Sequence, residues 1–247
     1  MKTNALIGHT GFIGSNLKQE KKFNFKKFYN SKNIDKIINK DFNLVLCAGT
    51  SSKVWIANKK PNDDLKSIKR LIKKLKQINC RIFILISTIE VYGKKNRKNE
   101  KTKICISKKN APYGNNRIYL ENFIKKKFNN YLIIRLPIIY GNNFKKNCIY
   151  DLLNENQINK LNGSDLIQIL NVNQLADFIF FALKKKINEI NISPEPIRLS
   201  HIAKKLFGKN LKKKPDPRTM NMKTIHKYFK ITKEETLKHL KKFCEKY

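Results

Sequence analysis

Arginine is scarce in this chain. It supplies seven of the 54 basic residues, against 47 lysines, while only 18 side chains are acidic and the formal net charge is +36. So basic a chain invites a nucleic-acid reading. Yet Arg, the fork that reads phosphates and base edges, is not enriched, and the lysines are spread along the whole chain. With 31 asparagines beside them, they read as compositional drift that leaves a solvated basic surface, so no specific nucleic-acid partner is expected. Such a field would still draw anionic ligands. Metal ligation is also missing from the pattern. His9, His201, His226 and His239 have no metal-ligand spacing, and the five cysteines are odd in number and lack it too, which suits reduced thiols in a cytoplasm. No apolar run is long enough to span a membrane, and strand pattern begins at once, so no signal or transit peptide is expected. No internal repeat is visible.

What is present begins at the first turn. Gly8, Gly11 and Gly14 follow the apolar Ala5-Leu6-Ile7 at spacings of three, with Thr10, Phe12 and Ile13 between them. At a strand end this is a dinucleotide-binding turn. The first Gly permits the turn, the second lets the backbone approach a pyrophosphate, and the third lets the helix pack close to the strand. Helix amides would then face the phosphate charge. His9 reads as a turn residue beside it.

Alternation continues downstream. Strands are read at 2–7, 25–29, 43–47, 81–87 and 131–136, the last stopped by Pro137, with helices at 11–18, 62–78 and 111–127 and a short helical piece at 33–39. Leu65, Ile68, Leu71, Ile72, Leu75 and Ile78 make one apolar face of the long helix. This βαβ series predicts an α/β fold with a doubly wound parallel sheet. Beyond residue 137 the pattern loosens: helices are read at 148–153, 174–183, 199–206 and 232–247, and short strands at 167–170 and 187–192. Thr232 and Glu235 form a capping box. The Lys-rich stretch 94–109 reads as a mobile loop, and 212–218 as a Lys/Pro-rich one.

The strand at 81–87 runs into Ser87-Thr88-Ile89-Glu90-Val91-Tyr92-Gly93, and twenty residues on comes Ala111-Pro112-Tyr113-Gly114-Asn115-Asn116-Arg117. With the glycine turn, these residues resemble the extended short-chain dehydrogenase/reductase family, in its nucleotide-sugar epimerase/dehydratase/reductase branch. Arg135-Leu136-Pro137-Ile138-Ile139-Tyr140-Gly141 and Asn171-Val172-Asn173-Gln174-Leu175-Ala176 resemble later family segments, and Pro215-Asp216 with Asn221 and Lys223 its C-terminal signature. The resemblance implies a Rossmann-type domain over 1–137, with 165–186 returning to it, and a small C-terminal substrate lobe of 138–164 and 187–247.

It also implies a catalytic set. Tyr113 would exchange a proton with the sugar oxygen, Thr88 would hydrogen-bond that oxygen, and a Lys four residues after the Tyr would lower the Tyr pKa and hold the nicotinamide ribose. Here that Lys is absent and Arg117 stands in its place. Helical spacing keeps it on the Tyr113 face, and its fork can reach ribose hydroxyls, but it cannot readily relay a proton. The dehydratase Asp is missing too, since Ile89-Glu90 replaces Asp-Glu, and Ile138 replaces a family Asn that contacts the nucleotide sugar. Glu90 could serve as a base or stand in solvent.

Nor does the second strand end in the carboxylate that an NAD ribose prefers. Asn30, Ser31 and Lys32 follow it, and Asp35 comes later, to meet adenine or cap the next helix. Ser31 and Lys32 would suit a 2′-phosphate, so NADP is expected, with NAD left open. Cys47, Ala48 and Gly49 would lie along the cofactor. Thr50 and Ser51, Glu90, Tyr140 and Arg218 are the candidate contacts to a nucleotide-sugar substrate. The expected activity is 4-keto reduction or epimerisation of a nucleoside-diphosphate sugar rather than dehydration. The alternative is a non-catalytic dinucleotide-binding member of the fold, regulatory or RNA-interacting. A homodimer is left open.

Overall fold

A computed structural model describes residues 2–93 and 96–247. Met1, Lys94 and Lys95 lie outside the described residues, so the first two positions of the Lys-rich stretch carry no structural account. The chain divides into two compact units.

The first unit comprises 1–94, 103–135 and 176–190. Its centre is a parallel sheet of six strands: β1 (Thr3–Ile7), β2 (Phe25–Tyr29), β3 (Asp41–Cys47), β4 (Asn79–Thr88), β5 (Tyr131–Leu136) and β9 (Glu189–Asn191), in spatial order β2-β1-β3-β4-β5-β9. After β2 the chain returns past β1 to lay β3 on its other side. That reversal opens a crevice at the carboxyl ends of β1 and β3, the usual place for a ligand in an open α/β sheet. The centre of β3 and β4 is a continuous buried run, Leu44–Cys47 and Phe83–Ser87, as expected of strands covered on both faces.

Helices α1 (Phe12–Lys18), α2 (Val54–Lys59), α3 (Pro61–Leu75) and α4 (Pro112–Lys127) connect these strands, and α6 (Leu175–Lys184) precedes β9. Pro61 opens α3, and Asp63 and Asp64 occupy its first turn, where acidic side chains complement the helix dipole. Ile68, Ile72 and Leu75 of α3 pack into the core with Val45, Phe83 and Ile124. Helix α2 has no counterpart in the sequence reading, because Val54-Trp55-Ile56 offers a single apolar turn without periodicity.

The second unit comprises 95–102, 136–175 and 191–247. It contains three strand pairs: β6 (Ile138–Tyr140) with β8 (Ile169–Asn171), β7 (Leu166–Ile167) with β11 (Ile197–Arg198), and β10 (Ser193–Pro194) with β12 (Lys230–Ile231). The strand read at 167–170 is broken at Gln168. Its buried side chain turns away to bond Pro194 O, Met222 O and the Met222 N–H. Helices α5 (Cys148–Leu153), α7 (Leu199–Phe207) and α8 (Lys233–Cys244) complete the unit. The capping box of α8 is formed, with Glu235 N–H donating to Thr232 Oγ1 at 3.1 Å and Thr232 N–H to Glu235 Oε2 at 2.8 Å. The expectation of a mobile loop over 94–109 is corrected at Glu100. Its carboxylate accepts from Asn191 N–H, Thr224 Oγ1 and Ile225 N–H, at 2.7, 2.5 and 2.9 Å, and so ties the loop down.

Candidate active site

The glycine turn has a distinct steric reason at each position. Gly8 adopts φ +85°, and a Cβ there would stand 2.5 Å from Ala48 O. At Gly14 a Cβ would stand 2.1 Å from Gly8 O, so α1 can lie this close to β1 only without a side chain. Gly11 differs: a Cβ would meet only Gly8 O, at an ordinary 3.4 Å. The protein itself therefore leaves Gly11 room on its exposed side, as a turn approached by an external group requires. Thr10 is exposed beside it, and Phe12 and Ile13 form the first turn of α1, which no side chain caps. His9 Nδ1 sits 3.0 Å from Tyr29 O.

At the end of β2, Asn30 and Asn33 build the bend. Asn30 N–H donates to Asn33 Oδ1 and Lys32 N–H to Asn30 Oδ1. Ser31 and Lys32 are exposed. Asp35 is not the cap of the next helix, whose N-cap position is Asn33. The Asp35 carboxylate pairs with Lys74 and lies 3.9 Å from Arg70, both on α3, and the Lys74 hydrogen bond holds its pKa below the usual carboxylate value. At the end of β3, Cys47 is buried and its thiol is pushed up to about 11 by desolvation, so this strand offers a ligand backbone rather than a thiolate. Ala48 is anchored to β1 through Ile7 O, Gly49 is exposed, and Thr50 is partly buried.

The catalytic candidates Thr88, Tyr113 and Arg117 all belong to the first unit, Thr88 before the turn that follows β4 and the other two on α4, which packs against that turn. Thr88 ends β4 and caps the single 3-10 turn Ile89–Tyr92, its Oγ1 accepting from Glu90 N–H at 3.2 Å. The hydroxyl hydrogen is left for another acceptor. Gly114 lets α4 lie against this turn, because a Cβ there would stand 2.4 Å from Glu90 O. Tyr113 is buried at the start of α4, its N–H held by Asn58 Oδ1 of α2 at 3.0 Å.

Arg117 is 2% exposed, and its guanidinium carbon lies 4.2 Å from the centre of the Tyr113 ring. The sequence assigns its fork to ribose hydroxyls; the structure gives most of it to protein. Nη1 and Nη2 donate to the two carboxylate oxygens of Asp64 at 2.9 and 3.0 Å, and Nη2 also to Ser51 O at 2.7 Å. Nε–H is buried without a partner. The Tyr113 hydroxyl is pushed above its ordinary pKa, first by burial. Arg117 pulls it back down, while Glu90 and Asp64 add to the rise.

Asp64 and Asn58 are site residues that the sequence reading missed. Asp64 had a signal: it stands four residues before Ile68, a carboxylate on the buried face of α3. A second missed group lies behind Thr88. Arg135, fully buried in β5, holds Glu121 of α4 at 2.7 Å, Glu189 at 2.6 Å and the Tyr92 hydroxyl at 3.0 Å, and Ser87 Oγ donates to Glu121 at 2.5 Å. Burial disfavours the Arg135 charge, but Glu121, then Tyr92 and Glu189, hold its pKa above the ordinary value.

Two substrate candidates lie in the second unit. Tyr140 is corrected: it is 1% exposed, its ring sits edge-on to Phe243 at 5.4 Å, and its hydroxyl bonds the Asn171 side chain. It is core, because β6 turns that face inward. Arg218 is exposed, and its N–H is fixed by Asp165 Oδ1 at 2.8 Å. Among the described residues no group of His, Cys, Asp and Glu could hold a metal, and no helix is long and apolar enough to cross a membrane.

Comparison with known proteins places the fold. The chain is similar in structure to a dTDP-4-dehydrorhamnose reductase from Yersinia enterocolitica, with a TM-score of 0.78, 15% identity and 99% of both chains covered. It is also similar to the Bacillus anthracis dTDP-4-dehydrorhamnose reductase solved with NADP (TM-score 0.75, 16% identity, 100% of this chain and 99% of that one). A third similar structure is the Thermotoga maritima UDP-glucose 4-epimerase with UDP-glucose (TM-score 0.74, 18% identity, 98% and 97% covered). No curated protein sequence matches it. The sequence pattern of the NAD dependent epimerase/dehydratase family matches residues 16–193, and the chain belongs to that family.

Proposed function

We propose that this chain is an NAD(P)-dependent enzyme of nucleoside-diphosphate sugars, carrying out 4-keto reduction or epimerisation rather than dehydration. The observation that carries the reading is the buried Tyr113 under Arg117, on the helix that Gly114 seats against the turn capped by Thr88 at the carboxyl end of β4. The residues present fit a dinucleotide. Gly11 leaves an open face at the first turn, and Arg117 Nε is a buried donor in want of an acceptor such as a ribose hydroxyl. The nicotinamide, when bound, supplies or takes the hydride. Tyr113 gives its proton to the sugar oxygen, and the Thr88 hydroxyl donates a hydrogen bond to the same oxygen. With Ile89 in place of an acid, nothing at that position can protonate a departing hydroxyl.

NADP is the favoured form, because Ser31 and Lys32 are exposed at the end of β2 and Asp35 is committed to α3. In this reading the first unit binds the dinucleotide and the second supplies substrate contacts, Arg218 among them. A cytoplasmic enzyme and a homodimer belong to the same proposal, the latter read by sedimentation. The test is oxidation of NADPH and of NADH with dTDP- and UDP-linked 4-keto sugars, beside a 4-epimerase assay. Turnover of one of these, tighter with NADPH, is the expected result. Dinucleotide binding without turnover of any of them would favour the non-catalytic alternative, for which the engagement of the Arg117 fork by Asp64 is the supporting observation.

A further inference from the structure

Asp64 takes no part in the chemistry above, yet it is among the best-held groups in the first unit. It stands one turn before Ile68 on the buried face of α3, its side chain 6% exposed against 2% for Arg117. Besides the two Arg117 bonds it accepts from Asn116 Nδ2 at 2.9 Å. A guanidinium gripped on both Nη atoms has one orientation, and that orientation lays it over the Tyr113 ring with Nε–H unspent. It also has a neighbour of opposite charge, so Tyr113 feels an ion pair rather than a bare cation.

We propose that Asp64 is a positioning residue. It fixes Arg117 on the Tyr113 ring and offsets its charge so that Tyr113 stays a neutral proton donor, which suits the site to carbonyl reduction over alcohol oxidation. The reductive bias rests on the oxidoreductase reading; the effect on Tyr113 does not. The charged groups that face Tyr113 are Arg117 on α4, Asp64 on α3 and Glu90 on the 3-10 turn, with the neutral Asn58 on its N–H from α2. Burial opposes a phenolate, and the two carboxylates offset part of what Arg117 does to favour one. In reduction the Tyr113 O–H bond breaks and its proton goes to the carbonyl oxygen as the carbon gains hydride from a reduced nicotinamide. The phenolate left behind regains a proton from water. Oxidation would have to begin with that phenolate.

The test follows the Tyr113 Cζ resonance with pH in the full chain labelled with ¹³C-tyrosine, assigned by its loss in Tyr113→Phe. It needs neither substrate nor turnover. In Asp64→Asn the titration midpoint should fall by about one pH unit or more. An unchanged midpoint in the folded variant overturns the proposal. Because that variant leaves the Arg117 charge buried and can unfold, a second arm uses Arg117→Lys alone and with Asp64→Asn. Dinucleotide binding is read from Trp55, the single tryptophan, exposed on α2. An ammonium cannot bridge Asp64 and Ser51 as the fork does, so Arg117→Lys should bind at least about fivefold more weakly, and adding Asp64→Asn should restore binding. Full-strength binding by Arg117→Lys alone, or no recovery in the folded pair, overturns the positioning role. If no nucleotide sugar is turned over while the resonance shifts as expected, the enzymatic reading fails and the role of Asp64 stands.

Discussion

At Tyr113 burial and charge pull in opposite directions, and burial wins. The raised pKa fixes the sign of its pH dependence. The proton-donating form is the protonated one, present at all pH values below the raised pKa and lost as pH climbs through it. Keto reduction should therefore show no loss assignable to Tyr113 between pH 7 and the ordinary tyrosine value of about 10, and a falling limb only above it. A kcat/KM profile measures this, and a limb centred near pH 7 that disappears in Tyr113→Phe would contradict it. Tyr113→Phe should itself cut turnover by roughly 10²–10⁴-fold with dinucleotide affinity nearly intact, since the ring still lies under Arg117. Thr88→Val should cost about 10²-fold in kcat, as loss of one donor to the developing charge does. It also removes the oxygen that caps the 3-10 turn, so its melting temperature should fall while that of Tyr113→Phe should not.

At the scale of the element, α4 is the organiser. Tyr113, Arg117 and Glu121 recur every four residues on its buried face, each held to a different neighbour: α2 through the Asn58 bond to the Tyr113 N–H, α3 and β5. Glu121→Gln would take from the buried Arg135 one of its two carboxylate partners, and should destabilise the protein by about 3–5 kcal/mol in urea unfolding. The glycine turn allows a sharper separation. Gly14→Ala drives a Cβ into Gly8 O and should lower the melting temperature as well as binding. Gly11→Ala meets nothing closer than 3.4 Å and should melt like the parent while losing dinucleotide affinity, a split measured by thermal shift with and without NADPH. These contrasts also show what was legible beforehand. The turn, the apolar face of α3 and the Thr88–Tyr113 spacing are local patterns and can be read from the chain. The Asp64–Arg117 pair spans 53 residues, so only its odd carboxylate on an apolar face was visible, not its partner. Tyr140 sits in a three-residue strand, too short for alternation to say which face is inward, and the residue read as a substrate contact proved to be core.

Over the whole molecule the dominant fact is a formal charge of +36. The buried ion pairs are Arg117 with Asp64, and Arg135 with Glu121 and Glu189, while pairs such as Lys125–Glu189 and Lys209–Glu155 lie nearer the surface. The exposed lysines repel one another through water, an energy that salt screens over a Debye length of roughly 8 Å at 0.15 M. Two consequences follow if the excess is compositional. The melting temperature should rise between about 20 and 300 mM NaCl, because screening relieves the compact state more than the expanded one. Duplex and single-stranded nucleic acid should bind at low salt without sequence preference and release steeply as salt is added, since a diffuse cationic surface binds by counterion release alone. Anisotropy titrations at several salt concentrations read both the affinity and its slope. Nanomolar binding of one sequence over others, surviving physiological salt, would show that some of these lysines are arranged for a partner, and the basic surface would then need a function of its own.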